Sequence, residues 1–209
     1  MKTIEIELFE DIVCPWCYLG AHRLERVIAA LPDPTRVTVV HRPFQLRPQT
    51  PATGLDIHAE LEARYGNLEP LFARLVGEAD KSGLALDPKR QRFTYPTLGA
   101  HTLLRLARPR GTQPALAMAL FRAHFVDARN IGDPEVLAEI AADHGFEREE
   151  ARALVTAPAE LVLTRAQTET ASRSGITGVP LFVIGGRTLN GAQPEAALRA
   201  AIDDALATA

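Results

Sequence analysis

The chain contains two thiols, Cys14 and Cys17, separated by Pro15 and Trp16. Thiols at that spacing suit disulfide exchange: an ionised first cysteine attacks a disulfide sulfur, and the second attacks the resulting mixed disulfide and releases what is bound. A bond between them closes too small a loop to staple a fold, and two cysteines cannot build a structural framework. Two blander uses compete. One is half of a zinc site, which needs two further ligands; the six histidines, His22, His41, His58, His101, His124 and His144, show no zinc-finger spacing. The other is inert packing of two small apolar side chains.

The elements around the pair give each sulfur a place. Thr3 to Phe9 alternates apolar Ile4, Ile6 and Leu8 with polar neighbours, the period of a strand. Leu24, Val27, Ile28 and Leu31 then recur at helical spacing until Pro32 and Pro34 stop the pattern. The cysteines therefore fall where a strand hands over to a helix. A sulfur at a helix N-terminus meets unpaired backbone N–H groups and the positive end of the dipole, which favour the thiolate and make Cys14 the nucleophile. Cys17 lies one turn inside on the same face, placed to resolve. Pro15 in the first turn costs no hydrogen bond. Trp16, the single tryptophan, is read with Pro15 as a substrate contact beside the reactive sulfur, with plain core packing as the alternative.

Val37 to His41 is β-branched and bounded by Pro43, so the first fifty residues predict a βαβ unit with parallel strands. From about Asp56 to Ser174 helical signals dominate: Leu61 to Val76, Leu98 to Leu106, Ala115 to Val126, the capped run from Asp133-Pro134-Glu135 to His144-Gly145, and Leu161 to Ala171. Five or six helices are expected there. Gly178 to Ile184 predicts a strand, Gly185-Gly186 a hairpin turn and Arg187 to Leu189 an antiparallel partner; Leu198, Ala201, Ile202 and Ala205 mark a final helix after Pro194. The fold class is α/β, a thioredoxin fold with a large α-helical insertion between its βαβ and ββα units. Residues 1–50 and 175–209 would form the discontinuous thioredoxin-fold domain, and 51–174 an inserted helical subdomain.

Val179-Pro180 opens the third core strand. A proline there suggests a cis peptide turning the backbone toward the cysteine loop, although an ordinary trans bond is commoner. Val179 and Pro180 join Pro15 and Trp16 as candidate substrate-binding residues.

Composition narrows the partners. The 209 residues are 46% hydrophobic and 23% charged, and 23 Lys plus Arg against 26 Asp plus Glu leave a net charge of -3. That balance offers no electrostatic footprint for nucleic acid or an anionic membrane, and no stretch approaches the roughly 18 apolar residues of a membrane span. Glu5, Glu7 and Glu10 interrupt the first ten residues, which do not read as a secretory signal, so the expected location is the cytoplasm.

Phe9-Glu10-Asp11-Ile12-Val13-Cys14-Pro15-Trp16-Cys17-Tyr18-Leu19-Gly20, Arg42-Pro43-Phe44-Gln45-Leu46, Ala100-His101, Ile131-Gly132-Asp133 and Gly178 to Ile184 together resemble the DsbA family of thioredoxin-fold proteins, within it the cytoplasmic FrnE-like branch. The resemblance runs nearly end to end. It implies Cys14 as nucleophile, Cys17 as resolving cysteine and Pro180 as the cis-proline of the thiol-substrate groove. The chain departs from the branch at Arg47 and Pro96, where asparagine is usual, and at Ala128, where glycine is usual. Many thioredoxin-fold proteins also carry a buried acid six residues before the first cysteine; here that position is Leu8. Asp11, the acid nearest in sequence, is an accessory candidate acting through water, weighed against a solvated loop carboxylate. His101 is a second accessory candidate lining the cleft between subdomains, weighed against a satisfied core histidine.

The leading function is thiol–disulfide exchange on protein or small-molecule thiols. No metal and no cofactor is called for beyond the Cys14–Cys17 disulfide itself, with glutathione a candidate co-substrate. A glutathione-dependent isomerase or transferase is the alternative, since hydroxychromene-carboxylate isomerases and kappa-class glutathione transferases resemble the same architecture; they use serine in place of Cys14 and lack the second cysteine. A redox-switched chaperone or binding module is a third. Thiol or disulfide substrates are the expected partners, and the sequence leaves monomer and homodimer open.

Overall fold

The computed structural model describes residues 2–208. Strand β1 (Ile4–Glu10) leads into helix α1 (Pro15–Ala29), and β2 (Val37–Pro43) returns parallel to β1, with Ile4 opposite Val37 and Glu10 opposite Pro43. After the helical segment come β5 (Leu181–Ile184), β6 (Arg187–Asn190) and α9 (Glu195–Thr208). The sheet runs β2-β1-β5-β6, with β5 antiparallel to both neighbours. This is the thioredoxin fold. Gly185 and Gly186 close the β5–β6 hairpin with φ of 55° and 79°, a left-handed pair that glycine adopts without strain.

Between β2 and β5 the chain forms seven α-helices rather than five or six: α2 (Ile57–Tyr65), α3 (Glu69–Lys81), α4 (Leu98–Ala107), α5 (Gln113–Phe125), α6 (Pro134–Ala142), α7 (Arg148–Thr156) and α8 (Pro158–Arg173). The apolar run from Leu61 to Val76 is two helices because Gly66 takes φ 72° and breaks the first. Helix α7 begins at a capping box in which Glu147 and Glu150 satisfy each other's backbone N–H groups, and it buries only Ala151 and Val155. A two-stranded ribbon, β3 (Leu55–Asp56) with β4 (Phe93–Thr94), is too short to leave an alternating pattern.

The helices pack onto the sheet. Helices α4, α5 and α8 rest against β2, and one continuous cluster of buried apolar side chains runs from Ile6, Leu8 and Phe182 through Leu103, Leu116 and Phe121 to Leu137 and Ile140. Strand β2 is a sheet edge, and α5 closes part of it: the Gln113 amide accepts the His41 N–H at 3.1 Å and donates to the His41 carbonyl at 3.0 Å. Helix α1 is tied on several sides. Tyr18 stacks on Phe121 at 5.3 Å and on Phe125 at 6.0 Å. Arg23, 4% exposed, donates to Ser82 Oγ at 2.7 Å and to the carbonyls of Ala192 and Glu78, each at 3.0 Å, and pairs with the Glu78 carboxylate at 2.8 Å.

Candidate active site

Cys14 is the N-cap of α1. Its backbone is extended, with φ -96° and ψ 111°, and its sulfur takes the place of a capping hydroxyl by accepting the Cys17 N–H at 3.3 Å. The Cys14 N–H donates to the Asp11 carbonyl at 2.9 Å, which turns the chain from β1 into the helix. Pro15 occupies the first turn, where no N–H is needed. Both cysteines are free thiols. Cys14 is 5% exposed and Cys17 fully buried, one turn deeper.

The two sulfurs stand in different electrostatic surroundings. Burial pushes the Cys17 thiol well above its ordinary value. Its hydrogen bond to Cys14 and the nearby charges of Cys14 and Glu10 push the same way, against one stabilising hydrogen bond with the Asp11 backbone. Cys17 therefore rests as a thiol, whereas the Cys14 sulfur faces the helix N–H groups.

The Val179–Pro180 segment faces the pair. Its peptide bond is cis, and the Val179 carbonyl lies 3.8 Å from Cys14 Sγ. The Pro180 carbonyl accepts the Gly191 N–H at 2.8 Å, anchoring the segment to the end of the hairpin. Gly20 on α1 lets helix and proline approach: a Cβ there would lie 3.1 Å from both the Pro180 ring and the Phe182 ring. Trp16 is half-buried against the core, with the Arg74 guanidinium of α3 5.4 Å from its ring centre. It combines the packing and the near-surface position that the sequence set against each other.

Asp11 is not a solvated loop carboxylate. It is 1% exposed, its Oδ2 accepts the Leu46 N–H at 2.8 Å, and its Oδ1 lies 3.3 Å from His101 Nε2. His101 is equally buried and donates from the same nitrogen to the Phe44 carbonyl at 3.0 Å. A carbonyl can only accept, so Nε2 carries the hydrogen. His101 is thus a satisfied core histidine rather than a cleft residue, and with Asp11 it holds the loop after β2 against the cysteine turn.

Sequence reasoning passed over Glu10. The β1 alternation that places Ile4, Ile6 and Leu8 inward continues to Glu10, which is fully buried with Oε1 2.6 Å from His41 Nδ1. Extending the strand period by one residue would have found it. A cavity of about 530 Å³ lined by Phe9, Pro43, Leu163 and Ala171 holds neither cysteine nor Pro180. Among the described residues, no cluster of three or more His, Cys, Asp or Glu is arranged to hold a metal, and no helix is long and apolar enough to cross a membrane.

A thioredoxin fold with a Cys-Pro-Trp-Cys helix cap facing an X–Pro strand start defines a thioredoxin-superfamily protein with a dithiol site. The profile of the DSBA-like thioredoxin domain matches residues 5–203, and the chain belongs to that family. It is similar to a probable DsbA oxidoreductase from Streptomyces coelicolor, with 36% identity, TM-score 0.86, and 99% of this chain and 91% of that chain covered. At lower identity it shares its fold with a 2-hydroxychromene-2-carboxylate isomerase, at 16% identity, TM-score 0.74, and 96% and 95% of the two chains covered. It also shares it with the cytosolic disulfide reductase DsbM from Pseudomonas aeruginosa with GSH, at 19% identity, TM-score 0.64, and 98% and 96% covered.

Proposed function

We propose that the protein is a cytoplasmic thiol–disulfide oxidoreductase of the FrnE-like branch, with Cys14 as nucleophile and Cys17 as resolving thiol. The observation that carries this reading is the asymmetry of the two sulfurs: one caps a helix beside Val179-Pro180, the other is buried and kept protonated. The Cys14 thiolate attacks a substrate disulfide R–S–S–R′, forming Cys14–S–S–R and releasing R′S⁻. Cys17 then attacks the Cys14 sulfur, the Cys14–Cys17 bond forms, and RS⁻ leaves. The substrate gains two electrons and the protein loses two; the oxidised protein runs the same steps backwards. Pro15, Trp16, Val179 and Pro180 form the groove in which the R chain lies.

Glutathione is the proposed recycling thiol, a reading supported by the fold shared with a cytosolic disulfide reductase whose structure is described as with GSH. In a reducing compartment the net direction is reduction or isomerisation. The glutathione-dependent isomerase reading leaves Cys17 without work to do, and the chaperone reading uses the cysteines as a switch but gives no part to the cis Val179-Pro180 segment beside Cys14. Purified protein with insulin or oxidised glutathione as disulfide substrate tests the proposal: exchange is expected, and Cys14→Ser should abolish it. Equal activity in that variant refutes it.

A further inference from the structure

Resolution by Cys17 needs a proton to leave a fully buried thiol whose surroundings favour the protonated form. Leu8 stands where related folds place an acid for this, and cannot take a proton. Asp11 is nearby, but both its carboxylate oxygens are engaged, one by the Leu46 N–H and one by His101. Glu10 differs. Its Oε1 is bound to His41, while its Oε2 is buried with no hydrogen-bond partner. A buried carboxylate oxygen without a partner is costly, and such groups persist where a function uses the free lone pairs. The carbonyl of Asp11, the residue directly after Glu10, accepts the Cys14 N–H at 2.9 Å, and Cys14 Sγ accepts the Cys17 N–H at 3.3 Å, so the cysteine turn and the Glu10 carboxylate share one end of β1.

We propose that Glu10, oriented by His41, is the proton acceptor for Cys17; this rests on the dithiol reading above. In the mixed-disulfide state the Cys17 thiol gives its proton to Glu10 Oε2 through a single bridging water, since Oε2 makes no hydrogen bond to the sulfur. The Cys17 thiolate then attacks Cys14 Sγ, the Cys14–Cys17 bond forms, and the Cys14–S–R bond breaks with its electron pair on RS⁻. Glu10 ends protonated and returns the proton when the protein is reduced again. His41 is fixed for this, because Gln113 holds both its backbone N–H and its carbonyl and its ring holds Oε1. The ionisable groups around Glu10 are His41 from β2, Cys14, Cys17 and Glu25 from α1, and beyond the strand end Asp11 with His101 from α4. Helix α5 contributes the uncharged Gln113.

Stopped-flow reaction of the reduced protein with Ellman's reagent separates the steps, since one thionitrobenzoate leaves on attack by Cys14 and a second on resolution by Cys17. Glu10→Gln is expected to keep the first phase and slow the second about tenfold or more near neutral pH, the lower end of general acid–base contributions. The deficit should close in alkaline buffer as hydroxide takes over, and Glu10→Asp should recover most of the rate. An unchanged second phase, or one slowed equally at every pH, overturns the proposal while leaving the dithiol reading intact. Absence of two-step release in the unmodified protein overturns the dithiol reading itself. Should Glu10→Gln fail to fold, carboxyl carbon NMR of the unmodified protein decides: the Glu10 resonance must show an inflection at the ionisation of Cys17. A Glu10 titration blind to Cys17 overturns the proposal.

Discussion

His124 is expected to make the protein acid-sensitive well above the range where carboxylates titrate. Burial holds its imidazole from the ordinary 6.5 down to about 4, and the Asp11 charge only partly opposes this. A hydrogen bond with the Arg129 backbone also favours the charged ring without overcoming burial, while the Gln91 amide works against it. Gln91 Oε1 accepts the Phe93 N–H at 3.0 Å, which fixes the amide so that Nε2 points at the His124 carbonyl at 3.0 Å and at His124 Nδ1 at 3.4 Å. Nδ1 is thus an acceptor, and a proton there would set donor against donor. Between 6.5 and about 4 the unfolded chain binds a proton that the folded chain refuses. Stability is therefore complete above the upper value and falls as pH drops toward the lower one. At about 1.4 kcal/mol per pH unit the loss is about 3 kcal/mol across the window. Glu78, held at about 2 by Lys81 and then Arg23, adds its own loss only below the ordinary carboxylate value of 4.5. Urea unfolding followed by circular dichroism at fixed ionic strength, in excess reductant, measures the profile. His124→Phe keeps an aromatic ring beside Phe125 and Tyr95 and should flatten it across that window. Parallel profiles for the two proteins would refute the reasoning.

Three substitutions probe the frame around the cysteines. Arg23→Met removes the donors to Ser82 Oγ and to the Ala192 carbonyl and leaves the Glu78 carbonyl only the Ser82 hydroxyl at 3.4 Å; a destabilisation of about 3 kcal/mol is expected in urea unfolding, and less than about 1 kcal/mol would show that water replaces the guanidinium. Gly20→Ala pushes α1 from the Pro180 and Phe182 rings, costing about 1–3 kcal/mol and slowing disulfide exchange more than it slows alkylation of Cys14; equal effects on both rates would contradict the close-approach role. Ala128 sits at φ 52°, in the left-handed region, so Ala128→Gly should raise stability by about 0.5–1 kcal/mol in the same assay, and a loss would contradict backbone strain there.

What the sequence made legible followed from periodicity. Alternation in Ile4, Ile6 and Leu8, helical spacing from Leu24 to Leu31, and Gly185-Gly186 between two apolar runs each encode one local element, and together they order the sheet. The cysteine pair was legible for the same reason, since its position at a strand-to-helix junction is local. Features decided by distant residues were not. Asp11 is buried because Leu46 and His101 reach it from elsewhere in the chain, and nothing in its own neighbourhood announces them. Helix α7 escaped because two small buried residues, Ala151 and Val155, leave a faint stripe, although Glu147 and Glu150 carry a capping signature. Glu10 was readable from strand period alone, and was missed because an acid at a strand end looks like the start of a loop.

The central claim is that Cys14 captures a disulfide and Cys17 releases it. Intact-mass analysis after exposure to oxidised glutathione and acid quenching tests it directly. Cys17→Ala should carry one glutathione, mapped to Cys14, while the unmodified protein should carry none and hold a Cys14–Cys17 disulfide. Glutathione absent from the variant, or retained on the unmodified protein, would contradict the assigned roles.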